Sequence, residues 1–257
     1  MTQLRFSQLF FATTATLLLC TSCSSNYTNQ VIAQVPSSPS IDYNPPPPPG
    51  TGPEPTDRRQ GGAGRGCEPT ALAPTIESNQ GKYLWGLTVA SHPRFWFSLP
   101  RKITTKDAIA FVLEDEAGKE VYKTMVQKSQ IPQGIVSFSL PTKVPALQVG
   151  KSYRWSFSVY CDYQTVEDKP GTVTGKIQRV AVSSKIQNQL KNAKTPLMQA
   201  KIYAQNGIWF DAVTTLGLAK MQGKKDKAIT SGWSELLTQV NLSKVTSLPV
   251  TSCCKKS

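Results

Sequence analysis

Histidine is almost absent from this sequence: His92 is the only one in 257 residues. A serine–histidine or cysteine–histidine machine would have to use it as its base. It precedes Pro93 at the head of an extended run, and no motif sets a nucleophile beside it, so it reads as a turn or rim residue. Metal-ligand spacing is missing too. Beyond residue 33 there is no Cys-x-x-Cys and no His-x-x-x-His, and Cys67, Cys161, Cys253 and Cys254 with one histidine make no tetrahedral set. Neither a Walker loop nor a dinucleotide fingerprint occurs in context, so no catalytic residue, cofactor or metal is expected. Negative charge is scarce: 16 Asp and Glu face 29 Lys and Arg, a net charge of +13. No apolar run approaches the ~20 residues of a membrane-spanning helix; Leu9 to Cys20 holds twelve.

Twelve is the length of a secretory apolar core, and Met1 to Arg5 supplies a short positive flank. Residues 1–33 are therefore expected to be a signal peptide, which places the protein in the periplasm, in the cell envelope or outside the cell. Two processing routes compete. Val31-Ile32-Ala33 offers a small residue for cleavage before Gln34, while Cys20-Thr21-Ser22-Cys23 loosely resembles a lipobox that would carry a lipid anchor on Cys23.

What the chain has in excess is proline and glycine, concentrated in 34–66. Pro45 to Pro49 form an unbroken run, and Gly61-Gly62-Ala63-Gly64-Arg65-Gly66 follows. Such a stretch builds neither helix nor ladder, so 34–66 is expected to be a disordered spacer. The glycine run follows no strand and opens no helix, as a phosphate loop would require.

From Cys67 the texture changes to short alternating runs rich in Val, Ile and aromatics: Leu84–Ala90, Arg94–Leu99, Ala108–Glu114, Glu120–Val126, Ile135–Leu140, Tyr153–Cys161 and Thr172–Val182. Seven such runs divided by Pro, Gly and Asp clusters predict an antiparallel β-sandwich over 67–182, of immunoglobulin-like or fibronectin-like type. Asp115 and Gly118 between two apolar runs predict a hairpin. Tyr153, after Leu147-Gln148-Val149-Gly150, resembles a tyrosine corner, whose hydroxyl bonds back to the preceding loop.

Residues 183–247 turn helical. Ile186 and Leu190 begin one helix. Thr195 caps a second that starts at Pro196 and runs through Asn206; Trp209 to Met221 is a third, and Trp233 to Val240 a last amphipathic segment. Ala200, Tyr203, Gly207, Trp209, Ala212, Leu216 and Ala219 give the middle pair a partial tetratricopeptide pattern without a second copy. Tyr203, Trp209, Leu216 and Trp233 are candidate core, and 248–257 is a tail.

The order of features is itself informative. A signal, a Pro/Gly linker ending in Arg65-Gly66-Cys67, then Pro93-Arg94-Phe95-Trp96-Phe97, Tyr153-Arg154-Trp155, Gly175-Lys176-Ile177-Gln178-Arg179 and a helical tail with Trp209 together resemble the cyanobacterial secreted family known only as domain of unknown function 928. The resemblance spans roughly residues 65 to 240. It implies a location outside the cytoplasm and a two-part fold, and it carries no activity or site residue.

Four cysteines follow Ala33, and an oxidising compartment favours pairing. Four cysteines allow three connectivities; adjacent cysteines lie ~3.8 Å apart at their α-carbons, short of the usual ~4.4 Å minimum, so a Cys253–Cys254 bridge would be strained. The expected disulfide is Cys67 with Cys161, with Cys253 and Cys254 free or bonded to another chain. Glu114, Asp115 and Glu116 are expected to decorate a hairpin tip. Residues 67–182 hold 14 basic and 10 acidic side chains, and 183–257 hold 11 and 3, so the helical part is the basic one. Lys191, Lys194, Lys201, Lys220, Lys224, Lys225 and Lys227 are the candidate surface for an anionic partner: a lipid surface, an acidic polysaccharide or an acidic protein, and not nucleic acid. Trp96 is a candidate ligand-facing aromatic if its side of the sheet is open and core if the helices cover it. The expected function is that of an exported, non-catalytic binding or interaction module; the alternative is an extracytoplasmic carbohydrate-active enzyme whose carboxylates the fold brings together.

Overall fold

Alternation is cleanest where the sheet is most central. Tyr153, Trp155, Phe157 and Val159 are buried, while the residues between them are not, as a strand with one face on the core requires. In the computed structural model the described residues are 40–47, 66–78, 81–127, 130–162, 170–222 and 226–251. They form β1 (Thr70–Ala71), β2 (Thr75–Ser78), β3 (Gly81–Thr88), β4 (Arg94–Ser98), β5 (Ala108–Glu114), β6 (Glu120–Gln127), β7 (Ile135–Ser139), β8 (Ser152–Tyr160) and β9 (Gly171–Arg179). Helices α1 (Ser184–Asn192), α2 (Pro196–Gln205), α3 (Trp209–Met221) and α4 (Lys227–Thr238) follow. The signal segment 1–33, Cys23, Lys224, Lys225, Cys253 and Cys254 lie outside the described residues.

The strands make a sandwich of two sheets, β1-β4-β7 and β2-β3-β9-β8-β5-β6. All seven expected strands are present; β1 and β2 are additional. The expectation of a wholly antiparallel sandwich needs correction, because β3 and β9 pair in parallel, Trp85 opposite Lys176 and Thr88 opposite Arg179. The hairpin from β5 to β6 turns with Gly118 at φ 78°, a conformation glycine adopts without a Cβ penalty.

Between the sheets lies an aromatic core. Phe97 stacks on Phe157 with centroids 3.9 Å apart, and Phe95, Phe111, Trp155 and Phe138 pack around them. Burying each such side chain contributes about 1.5–3 kcal/mol. Trp96, pointing the other way from β4, is also buried. Its ring lies against Gly217 of α3 and edge-on to Trp233 of α4, and its Nε1 donates to Thr214 Oγ1 at 3.0 Å. The helices thus form a third layer over the small sheet, and Trp96 faces that layer, not solvent; the ligand-facing reading of this residue is set aside. One core cluster runs from Leu84 and Phe95 to Leu216 and Trp233, so the change near residue 183 marks a change of secondary structure and not a break in the core.

The helix starts follow the capping rules. Ser183 accepts from Ile186 N–H, Thr195 accepts from Met198 N–H with Pro196 at the first position, and Asp226 accepts from Ala228 and Ile229. α2 and α3 form a helical hairpin turning at Gly207, φ 72°. α4 begins at Lys227, six residues before Trp233 where the amphipathic segment was expected to start. Within the expected spacer, residues 40–47 are ordered. Ile41 is buried, its N–H donates to Glu235 Oε2, Tyr43 packs edge-on to Trp209 at 4.9 Å, and Asn44 N–H donates to the Ala204 carbonyl. Residues 40–47 thus form a strap across the ends of α2 and α4.

Candidate functional site

Cys67 and Cys161 are bridged, with α-carbons 6.2 Å apart. The bond ties the start of the sandwich to the end of β8, beside Gly171, whose backbone passes directly against Cys67.

A cleft of about 490 Å³ opens where the β5–β6 hairpin tip meets the 145–148 loop and the start of β8. It contains two of the three clustered acids, all engaged locally. Asp115 Oδ1 accepts from the Ala117 and Lys119 amides, Glu114 pairs with Arg154 at 3.0 Å, and Glu116 accepts from Ser152 N–H at 3.0 Å and pairs with Lys151 at 3.3 Å. The Ser152 amide in particular holds the Glu116 carboxyl below its usual range. A glycosidase acid needs the opposite shift. The adjoining Tyr153 hydroxyl accepts from Gln148 N–H at 2.9 Å, as a tyrosine corner does.

A smaller cavity of about 140 Å³ lies at the junction of sandwich and helices, lined by Thr88, His92, Arg94, Ser139, Asp211 and Thr214, with Phe210 and Pro93 beside them. His92 is spent on structure. Nε2 lies 2.9 Å from the Val144 carbonyl, which can only accept, so Nδ1 accepts from the Ser91 hydroxyl at 3.1 Å. That agrees with the rim role expected from its position. Arg94 is half-buried, its Nη1 donating to Ser137 Oγ at 2.8 Å. Asp211, in the first turn of α3, accepts from Thr88 Oγ1 at 2.7 Å and Val89 N–H at 3.1 Å, both on Oδ2. Burial pushes its carboxyl up to about 6, against those hydrogen bonds. Asp211 is the residue that motif reasoning missed. Its signal was present: a lone acid in the apolar stretch Trp209-Phe210-Asp211-Ala212-Val213.

The lysines gather by topology. The short turn from α2 to α3 makes them antiparallel, and Leu197 of α2 packs against Gly232 of α4. The end of α1, the start of α2, the end of α3 and the start of α4 therefore share one end of the helical layer, opposite the 40–47 strap. Lys191, Lys194 and Lys227 are exposed there, and Lys220 sits with Nζ 6.0 Å from the Trp233 ring centroid. Lys201 lies midway along α2. The ion pairs among the described residues join Lys82 to Glu77, Arg101 to Asp107, Lys151 to Glu116 and Arg154 to Glu114, and include none of these five lysines.

A two-sheet sandwich carrying a helical layer, with cavities at a hairpin tip and at the layer junction, is the class of molecule this chain forms. The chain belongs to the family called Domain of Unknown Function (DUF928), whose family model matches residues 55–250. No curated protein matches it. Among solved structures, it is similar to the C-terminal domain of wzt at 13% identity and TM-score 0.29, covering 50% of this chain and 83% of that one. It is similar to the beta-glucuronidase of Parabacteroides merdae at 12% identity and TM-score 0.23, covering 46% of this chain and 20% of that one. Likenesses at these scores carry no argument about function.

Proposed function

We propose that the protein is an exported cell-envelope binding module without a catalytic centre, and that it engages an anionic envelope component through the lysine-bearing end of its helical layer. One observation carries this reading. Of the three acids of the helical segment, Asp211 is held by Thr88 and Val89 and Glu235 by Ile41 and Ser231, both away from the lysines, while Asp226 sits at the lysine-bearing end and is engaged by the amides of the α4 cap. The lysines there form no ion pair among the described residues. Export is supported by the leader-like N-terminus and by the disulfide, which persists in oxidising compartments. The Gln148 to Tyr153 bond supports an immunoglobulin-like sandwich, and the Gly207 turn supports a tetratricopeptide-like hairpin. A carbohydrate-active enzyme would need two facing carboxylates; Asp211 shares its cavity with no second acid among the described residues.

The test is binding of the protein from residue 34 onward to phosphatidylglycerol vesicles and to alginate, with phosphatidylcholine and dextran as neutral controls. Binding to one of the anionic probes should fall steeply with added salt, since exposed charges are screened beyond ~8 Å at ~0.15 M. Lys191→Glu, Lys194→Glu and Lys227→Glu together should abolish it while shifting stability by less than about 0.5 kcal/mol per substitution. Salt-insensitive binding, or equal binding to the neutral controls, would refute the reading.

A further inference from the structure

The junction cavity holds two opposite charges that do not meet. Arg94 on β4 and Asp211 on α3 line the same space of about 140 Å³, yet they are not among the ion pairs of the described residues. Each is fixed by one edge only. Asp211 uses Oδ2 for Thr88 and Val89, leaving Oδ1 with no donor from another described residue. Arg94 uses Nη1 for Ser137, leaving its Nε and Nη2 protons with no acceptor among the described residues. Thr214 Oγ1 already accepts from Trp96 Nε1, so its own proton is available to an acceptor. A half-buried guanidinium and a more deeply buried carboxylate, held apart by independent anchors, leave hydrogen-bonding edges that a molecule between them can take up.

The geometry points to a site for a small neutral polyol, such as the end of a single sugar ring, bound by Arg94, Asp211 and Thr214. The proposal goes beyond the anionic-partner reading and does not depend on it. Donors outnumber acceptors here: the guanidinium and the Thr214 hydroxyl offer protons, and Asp211 Oδ1 is the one strong free acceptor. An ammonium, with three protons to place and a guanidinium nearby, is poorly served, which excludes amines and disfavours amino acids. An anion meets the Asp211 carboxylate. Adjacent hydroxyls suit both, one donating to Asp211 Oδ1 and the next accepting from Arg94. Phe210 and Pro93 are apolar residues of the lining, both buried, with the Phe210 ring turned onto Phe95 in the core. The volume is that of about four or five waters, which admits one small polyol or one ring end and no more. His92, with both nitrogens occupied, closes a wall and takes no part.

The experiment is saturation-transfer NMR on the protein from residue 34 onward at neutral pH, with glycerol, glucose and galactose as probes and glycine and acetate as class controls. At least one polyol should show transfer. Arg94→Gln should weaken it about tenfold, the loss expected on removing a charged hydrogen-bonding partner. Ser139→Trp, a change at an exposed rim position of the cavity, should block it without disturbing the core. The triple lysine-to-glutamate variant should bind as the wild type does. Absence of transfer from every polyol, equal transfer in the wild type and Ser139→Trp, or stronger binding of glycine or acetate than of any polyol would each overturn the proposal.

Discussion

Gly217 lies so close to the indole of Trp96 that a β-carbon placed on it would fall 2.5 Å from Cη2. This contact lets α3 settle onto the outer face of β4. In an exposed helix interior, glycine to alanine stabilises by roughly 0.5–1 kcal/mol. Here the sign reverses. Gly217→Ala should destabilise the protein by about 1–3 kcal/mol, the range for overpacking a filled core. Urea unfolding of the two proteins measures it, and a more stable variant would show that the helical layer can shift off Trp96.

Asp211 makes stability depend on pH in an unusual direction. Its folded carboxyl is pushed up to about 6 from an ordinary 3.8, so the folded state holds the proton more tightly than the unfolded chain. The stability it contributes is fully present below about pH 4 and is lost as pH rises through about 6, up to ~3 kcal/mol in all. Asp211→Asn removes the titration. Relative to that variant, the wild type should lose stability between pH 4 and 7; parallel urea midpoints across that range would contradict the assignment.

Ile41 tests whether the strap is part of the fold. A spacer residue could be changed freely, but Ile41 is buried against the helices, its N–H donating to Glu235 and its carbonyl accepting from the Gln239 side-chain amide. Ile41→Ala should cost about 2–4 kcal/mol if the strap unfolds with the rest. Hydrogen exchange at Asn44 N–H, bonded to the Ala204 carbonyl, distinguishes global loss from local release of 40–47.

Replacing Cys67 and Cys161 together by serine should lower stability by up to about 4.7 kcal/mol, the chain-entropy value for a sequence separation of 94. The denaturant midpoints of the oxidised wild type and the double variant measure it; midpoints that coincide would show that the bridge constrains little.

Much of the fold was legible because it is written locally. β8 alternates over nine residues, Thr195-Pro196 starts a helix, and Asp115 to Gly118 makes a turn, so each is readable without its neighbours. The disulfide was legible in part, from four cysteines beyond the leader and two of them adjacent, but the choice among three connectivities needed the fold to bring Cys67 to Cys161. What escaped depended on distant partners. β1 has two residues and β2 has four, too few to show a period, and the parallel register of β3 on β9 has no local signature. Ile41 and Tyr43 were hidden by the prolines that follow them. Asp211 belongs to no motif; only the cavity that the sandwich and α3 form together gives it a role. Trp96 was ambiguous in the sequence because its environment is decided by helices more than a hundred residues later.

The position of β9 has a consequence for how the molecule assembles. In the larger sheet it lies between β3, which belongs with β2, and β8, which belongs with β5 and β6. Until residues 171–179 arrive, the chain holds two separate sheet fragments, each with an unpaired edge where the other should be. The last strand in the sequence is thus the one that joins them, and only afterwards does a finished sandwich exist for α3 to dock upon. Folding of this topology waits on long-range closure, which makes it slow compared with a helical bundle of equal size. A chain ending before β9 would expose both edges to any neighbouring strand.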